Sequence, residues 1–263
     1  MSDQPAPTTR ISTYTAEAIY VRDKDLVEDL IGKLGFTEMT YFQVMGRMPS
    51  GPETAILDAV LVTLMEHGLT PSTISARMIY DSAPEALQGA VAGGLLAVGS
   101  QFVGTMEGAA QLLERIVGDS DGDGGDVGAA ARRVAEEHRA ARDPIPGFGH
   151  PLHKPDDPRS PKLMALAREQ GVEGRYIVAL EALSAAVDEV YGKHITINAT
   201  GAIAALLLEI GVPWRVMRGF ALISRAAGLV GHIYEEQQRP AARHMWGLAV
   251  KGVPYEGEAG GSR

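Results

Sequence analysis

From Pro146 to Arg159 the chain reads Pro-Gly-Phe-Gly-His-Pro-Leu-His-Lys-Pro-Asp-Asp-Pro-Arg. Four prolines and two glycines in this stretch exclude a regular helix. The helices on either side must therefore be joined by a stiff, irregular loop. Gly147 and Gly149 carry no Cβ, so the backbone around Phe148 can take strained angles and come close to a ligand. The loop also holds two histidines, a lysine, two aspartates and an arginine. His150 changes charge near neutral pH. Arg159 offers a planar fork that suits a carboxylate. Folding alone needs none of this combination.

The rest of the chain reads as helix. Val27, Leu30, Ile31 and Leu34 recur at helical spacing, and Gly35 stops that segment. Helices are predicted over 52–67, with Ser50 as cap and Pro52 in the first turn, and over 84–98. The second of these is rich in Ala and Gly, which lets helices approach closely. Further helices are predicted over 108–117, 129–142, 162–170, 176–191, 201–210 and 214–236. Only Tyr14 to Val21 suggests a short strand pair, and no repeat has a fixed period. The expected fold class is all-α.

Composition narrows the function classes. The formal net charge is −9, which argues against non-specific nucleic-acid binding. An anionic substrate would need local positive charge. The chain has no cysteine, so neither disulfides nor thiol catalysis is available. No uncharged apolar run spans a bilayer, and Met1 to Arg10 lacks the apolar core of a signal peptide. No membrane partner and a cytoplasmic location are expected. The tails, 1–9 and 257–263, read as disordered. Asp119, Asp121, Asp123 and Gly124 start like a calcium loop, but the closing glutamate falls at Ala130. His150 and His153 have no third and fourth ligand spaced for zinc. No metal and no permanently bound cofactor are expected.

Arg218, Arg225 and His232 are spaced by seven and share one face of an otherwise apolar helix. A charge placed there needs a partner.

These motifs resemble the citrate synthase superfamily. Its members carry Gly-Phe-Gly-His followed by Asp-Pro-Arg, as in Gly147–His150 and Asp157–Arg159. Leu26 to Pro49 is similar to the family's opening segment, Glu66 to Thr73 to its second histidine motif, and Gly211-Val212-Pro213 to its C-terminal part. The short length and the loop resemble citryl-CoA lyase-type members. The same fold forms the last part of ATP-citrate lyase. The resemblance implies a large helical domain (1–107 and 201–263) and a small one (108–200), with the active site in the cleft. It also implies a homodimer or larger homo-oligomer.

For the site, the resemblance implies that His67, His150, Arg159, Arg225 and Arg243 bind a carboxylated acid, with Arg239 the alternative to Arg243. Gly147, Phe148, Gly149 and Lys154 would lie beside a coenzyme A thioester, which is substrate rather than cofactor. Two positions depart from the pattern. The family's enol-forming histidine and aspartate align with Met106 and Thr200, and neither offers a useful proton-transfer group. Glu107 is the nearest carboxylate that can serve instead as acid or base, or it is simply a helix-start residue favoured by the dipole. The leading expectation is a citryl-CoA lyase-like carbon–carbon lyase. The rivals are cleavage of a different β-oxo or β-hydroxy carboxylate, and a non-catalytic binder of a dicarboxylate or CoA ester.

Overall fold

The computed structural model describes residues 6–101, 103–121 and 125–257. It is mostly helical, as expected. Near the N-terminus, β1 (Ser12–Tyr14), β2 (Ile19–Val21) and β3 (Lys24–Asp25) form a small antiparallel sheet, with Thr13 opposite Tyr20 and Val21 opposite Lys24. The helices that follow are α1 (Phe36–Met45), α2 (Gly51–Met65), α3 (Pro71–Ser82), α4 (Leu87–Leu96), α5 (Thr105–Ser120) and α6 (Val127–Ala141). They continue as α7 (Arg159–Glu169), α8 (Arg175–Tyr191), α9 (Ala199–Glu209), α10 (Trp214–Gln238) and α11 (Ala242–Gly252). Among the described residues no single helix is long and apolar enough to cross a membrane.

The segment from Val27 departs from its expected helix. Leu26–Leu30 forms one π-helical turn, started by the Asp25 carboxylate, which accepts from the Val27 and Glu28 amides. The Ile31 amide closes it on the Leu26 carbonyl at 2.9 Å. Three helices, α1, α3 and α11, lie outside the expected set. α3 has a local start signal in Thr70–Pro71, a proline in the first turn.

The chain falls into two compact units, Met1–Val60 with Met106–Met217, and Leu61–Thr105 with Arg218–Arg263. The boundaries fall inside α2 and α10 and at the start of α5. In the first unit α9 is buried on almost every side, the pattern of a central helix. α7 and α8 pack against it, and α6 packs on α8. Tyr41 of α1 is fully buried and donates its hydroxyl to the Ile210 carbonyl at 2.7 Å, which satisfies its polar end. In the second unit α4 packs on α3. A Cβ at Gly94 would stand 2.8 Å from the Ser72 carbonyl oxygen and 2.7 Å from Leu229 Cδ1. The small residues of this helix therefore permit the close approach expected of them.

Candidate active site

In the first unit, the loop after α6 is fastened to the strand-like residues before α9. Phe148 bridges Ile197. The Gly149 amide donates to the Thr196 carbonyl (2.8 Å) and the Asn198 amide to the Gly147 carbonyl (3.0 Å). Gly147 and Gly149 have φ of 88° and 77°, in the left-handed region. A Cβ at Gly147 would meet Gly201 Cα at 2.8 Å and Ala109 Cβ at 3.0 Å, and one at Gly108 would meet Pro146 at 3.0 Å. The loop is thus seated on the first turns of both α5 and α9. Glycine is needed on both sides of that contact.

His150 is oriented by its own loop. Its Nδ1 accepts from the amides of Leu152 (3.1 Å) and His153 (3.0 Å). An acceptor nitrogen carries no proton, so geometry assigns the proton to Nε2. Nε2 lies 3.5 Å from Arg159 Nη2. The two groups are close enough to serve one carboxylate or carbonyl oxygen together. The His153 ring stacks on His150 with centroids 4.3 Å apart.

Arg159 opens α7 and is held by Asp157. Its Nε and Nη2 donate to the two carboxylate oxygens at 2.9 and 2.7 Å. Asp157 is fully buried and also accepts from the amides of Arg159 (3.1 Å) and Ala199 (3.0 Å), the first residues of α7 and α9. Burial alone would raise its pKa. The Arg159 guanidinium and the two amides outweigh burial and hold the carboxyl down at about 2. Sequence reasoning does not single out Asp157, although its place two residues before Arg159 is visible there. The bond from Asp157 to Ala199, 42 residues on, is not.

The two departures from the family pattern sit in the same unit. Met106, in the first turn of α5, is fully buried among core side chains, so its thioether is packing. Thr200 donates its hydroxyl to Asn198 Oδ1 at 2.7 Å, beside the Gly201 amide that the same oxygen caps. It is committed to the helix start. Glu107 follows Met106, is half-buried, and lies one residue from the Gly108–Pro146 contact with the loop.

In the second unit, His67 follows the end of α2 in an exposed turn completed by Gly68 at φ 70°. Arg225, on α10, is buried, and its Nη1 has no hydrogen-bond partner. Burial lowers its pKa, while nearby Glu66 opposes that shift. Arg218 packs against Gly104, where a Cβ would stand 2.7 Å from its Nη2. Arg243 is largely exposed and faces Asp81 at 3.3 Å. Arg239 is exposed. In the first unit His150 and Arg159 thus lie together on one loop, with Glu107 and Thr200 in the first turns of the two helices on which that loop rests, and in the second unit Arg225 lies near Glu66, the residue before His67.

Sequence reasoning misses a cavity of about 460 Å3 in the first unit. It is lined by Phe148, Ile145, Tyr191, Ile195, Arg139 and Arg142, among others. Arg139 stands over the Tyr191 ring, 5.6 Å from its centroid. The loop motif marks Phe148, but α6 and α8 read only as amphipathic helices. The Asp119 and Asp121 carboxylates pair with Arg115, Arg133 and Arg175. Asp123 and Gly124, the rest of that suspected loop, lie outside the described residues, as do 1–5 and 258–263 of the tails.

The family model for the citrate synthase C-terminal domain matches residues 1–245. The chain belongs to the citrate synthase family. Citryl-CoA lyase from Hydrogenobacter thermophilus is similar over 98% of both chains, at 30% identity and TM-score 0.86. ATP citrate lyase from Methanothrix soehngenii, solved with citrate and coenzyme A, matches 98% of this chain and 42% of its own, at 18% identity and TM-score 0.78. At that identity the likeness concerns the fold. A putative citrate synthase 2 of Mycobacterium tuberculosis is 29% identical over 72% of this chain. A 2-methylcitrate synthase of Shewanella oneidensis is 24% identical over 80%. The chain spans 50% and 55% of the lengths of those two relatives.

Proposed function

We propose that the chain is a citryl-CoA lyase-like enzyme that cleaves a carbon–carbon bond in the CoA thioester of a carboxylated hydroxy acid. The observation that carries this reading is the match along the whole chain to a citryl-CoA lyase, set beside a group of donors built for an anion. His150 Nε2–H and Arg159 stabilise the oxygen at which the new carbonyl forms. In the second unit Arg225, buried with an unpartnered Nη1, is suited to a carboxylate. Glu107 accepts the hydroxyl proton. The carbon–carbon bond breaks with its electron pair moving to the thioester α-carbon, and Glu107 returns the proton there. The products are an acetyl-CoA-type thioester and an oxaloacetate-type keto acid. Coenzyme A lies along Gly147, Phe148, Gly149 and Lys154. The cavity beside Phe148 offers aromatic faces for its base and Arg139 and Arg142 for its phosphates.

Incubation with citryl-CoA should release acetyl-CoA and oxaloacetate, read by coupled reduction of the keto acid. Glu107→Gln should slow that release by roughly a hundredfold or more. No release from citryl-CoA, or unchanged release by the variant, would reject the reaction or the role of Glu107 respectively.

The buried Met106 and the committed Thr200 favour a second reading, a binder of the acid or the CoA ester without turnover. Saturable binding of citrate or CoA with no product would establish it. A homodimer is part of the proposal. In the second unit Trp246, Val250, Val253 and Tyr255 of the α11 segment, with Tyr234 of α10, are large apolar side chains that are each at least 60% exposed, the surface a second copy would cover. Light scattering at micromolar concentration should give twice the chain mass.

A further inference from the structure

The second unit contains a line of polar groups that the proposed reaction does not use. Arg77 of α3 is buried, with 3% of its side chain exposed. Its Nη1 donates to Glu236 at 2.7 Å, and Nη2 pairs with Glu235. Its Nε and Nη2 also lie 3.2 and 2.9 Å from His232 Nδ1. His232 Nε2 lies 2.8 Å from Glu66 Oε2. The other oxygen of Glu66 accepts from the backbone amides of His67 (2.8 Å) and Gly68 (2.6 Å). At the far end, Glu236 accepts from the amides of Ala241 (2.7 Å) and Ala242 (2.8 Å), where α11 begins.

The direction of this line is decided by arginine. A guanidinium has donors and no acceptor. His232 Nδ1 must therefore accept, which leaves the ring proton on Nε2, facing Glu66. Reversing the tautomer would set N–H groups against the Arg77 fork and a lone pair against a carboxylate. The same turn is pressed onto α10 by backbone contact, because a Cβ at Gly228 would stand 2.2 Å from the Met65 carbonyl oxygen. The His67 turn is thus held twice, by packing at Gly228 and by hydrogen bonds through Glu66.

We propose that Arg77 and His232 are positioning residues. Arg77 holds His232 in its Nε2–H tautomer, and His232 locks Glu66 onto the amides that fix the turn presenting His67. This rests on the reading of His67 as an acid-binding residue, and it adds the reason that its backbone stays in place. Glu66 also lies close enough to Arg225 to act on its charge, so the lock keeps a carboxylate beside that cation.

The test uses the full chain and begins without substrate. Nitrogen NMR should show His232 with Nδ1 unprotonated and Nε2 protonated. His232→Leu removes the donor and should speed amide exchange at His67 and Gly68 by about tenfold, the loss of one hydrogen bond to a charged group. His232→Gln keeps an acceptor for Arg77 and a donor for Glu66, and should restore protection. With citryl-CoA, the leucine variant should raise KM by about tenfold with a smaller change in kcat, because ground and transition states lose the same contact. The glutamine variant should recover KM. An Nδ1–H tautomer, unchanged exchange in His232→Leu, or a glutamine variant no better than leucine would overturn the proposal. If exchange and tautomer behave as expected but the parent chain turns over no citryl-CoA, the positioning role stands and the reaction fails.

Discussion

Arg159 and Arg225, one in each compact unit, solve the problem of a cation in a folded protein in opposite ways. Arg159 is partly exposed, and its charge is met by the fully buried Asp157. Asp157 is in turn anchored to the starts of two helices. Arg225 is buried with one nitrogen unpartnered, and Glu66 supplies a nearby opposite charge. The first is an aimed donor whose cost is met within the fold. The second is an incompletely satisfied charge, and an anionic ligand improves its state more than it improves that of Arg159. The comparison separates stability from binding. Asp157–Arg159 should matter to both, and Arg225 mostly to binding.

The largest effect is expected at Arg225. Arg225→Leu should weaken citrate binding by about tenfold to a hundredfold, the scale of lost hydrogen bonds to a charged group. Calorimetric titration would measure it. The apo protein should melt at the same temperature or higher, because an apolar side chain replaces a poorly paired buried charge. A lower melting temperature with binding intact would break the comparison.

Asp157 should show the converse. Its pKa falls from 3.8 to about 2 on folding, which corresponds to about 2 kcal/mol of stability near neutral pH. Asp157→Asn should lose about that much in urea unfolding at pH 7. The sign follows from the lowered value. The contribution is complete above the unfolded pKa near 3.8 and disappears as pH falls through about 2. The gap between parent and variant should therefore close on acidification. A gap that persists at pH 2 would mean that the aspartate acts through packing.

A smaller effect sharpens the picture of the loop. His194 sits between Asp188 (2.6 Å) and Asp156 (2.9 Å), next to Asp157 in sequence. Hydrogen bonds that its ring N–H groups donate to these two carboxylates raise its pKa. A raised value means that its stabilisation is complete below the unfolded pKa near 6.5 and fades as pH rises through the folded value. Amide exchange around Asp156 should accelerate across that rise in the parent. In His194→Ala it should be fast throughout. The change should be modest, because the imidazole is about half exposed.

Much of the site is legible in the sequence. The Pro146–Arg159 loop is legible because proline and glycine act on the backbone where they stand. Arg225 is legible because a spacing of seven returns to one helix face. The large acid-binding residue types follow from the same two local rules. α1 is not legible, because its apolar residues form no stripe along one face, whereas α11 does carry a one-sided apolar pattern that the sequence reading passes over.

Sequence alone therefore determined an all-helical chain interrupted by one rigid, charged loop, with a family resemblance written in its motifs. Tertiary structure alone decided that Met106 is core, that Thr200 serves the α9 cap, and that Asp157 binds two helix starts. It also decided that Arg225 is left one partner short, and that Arg77 reaches Glu66 through His232, 155 residues away. The reason is range. Dihedral preference and helical periodicity act over a few neighbouring residues. Burial and hydrogen-bond partnership depend on which distant segments the completed packing brings within 3 Å or so of each other.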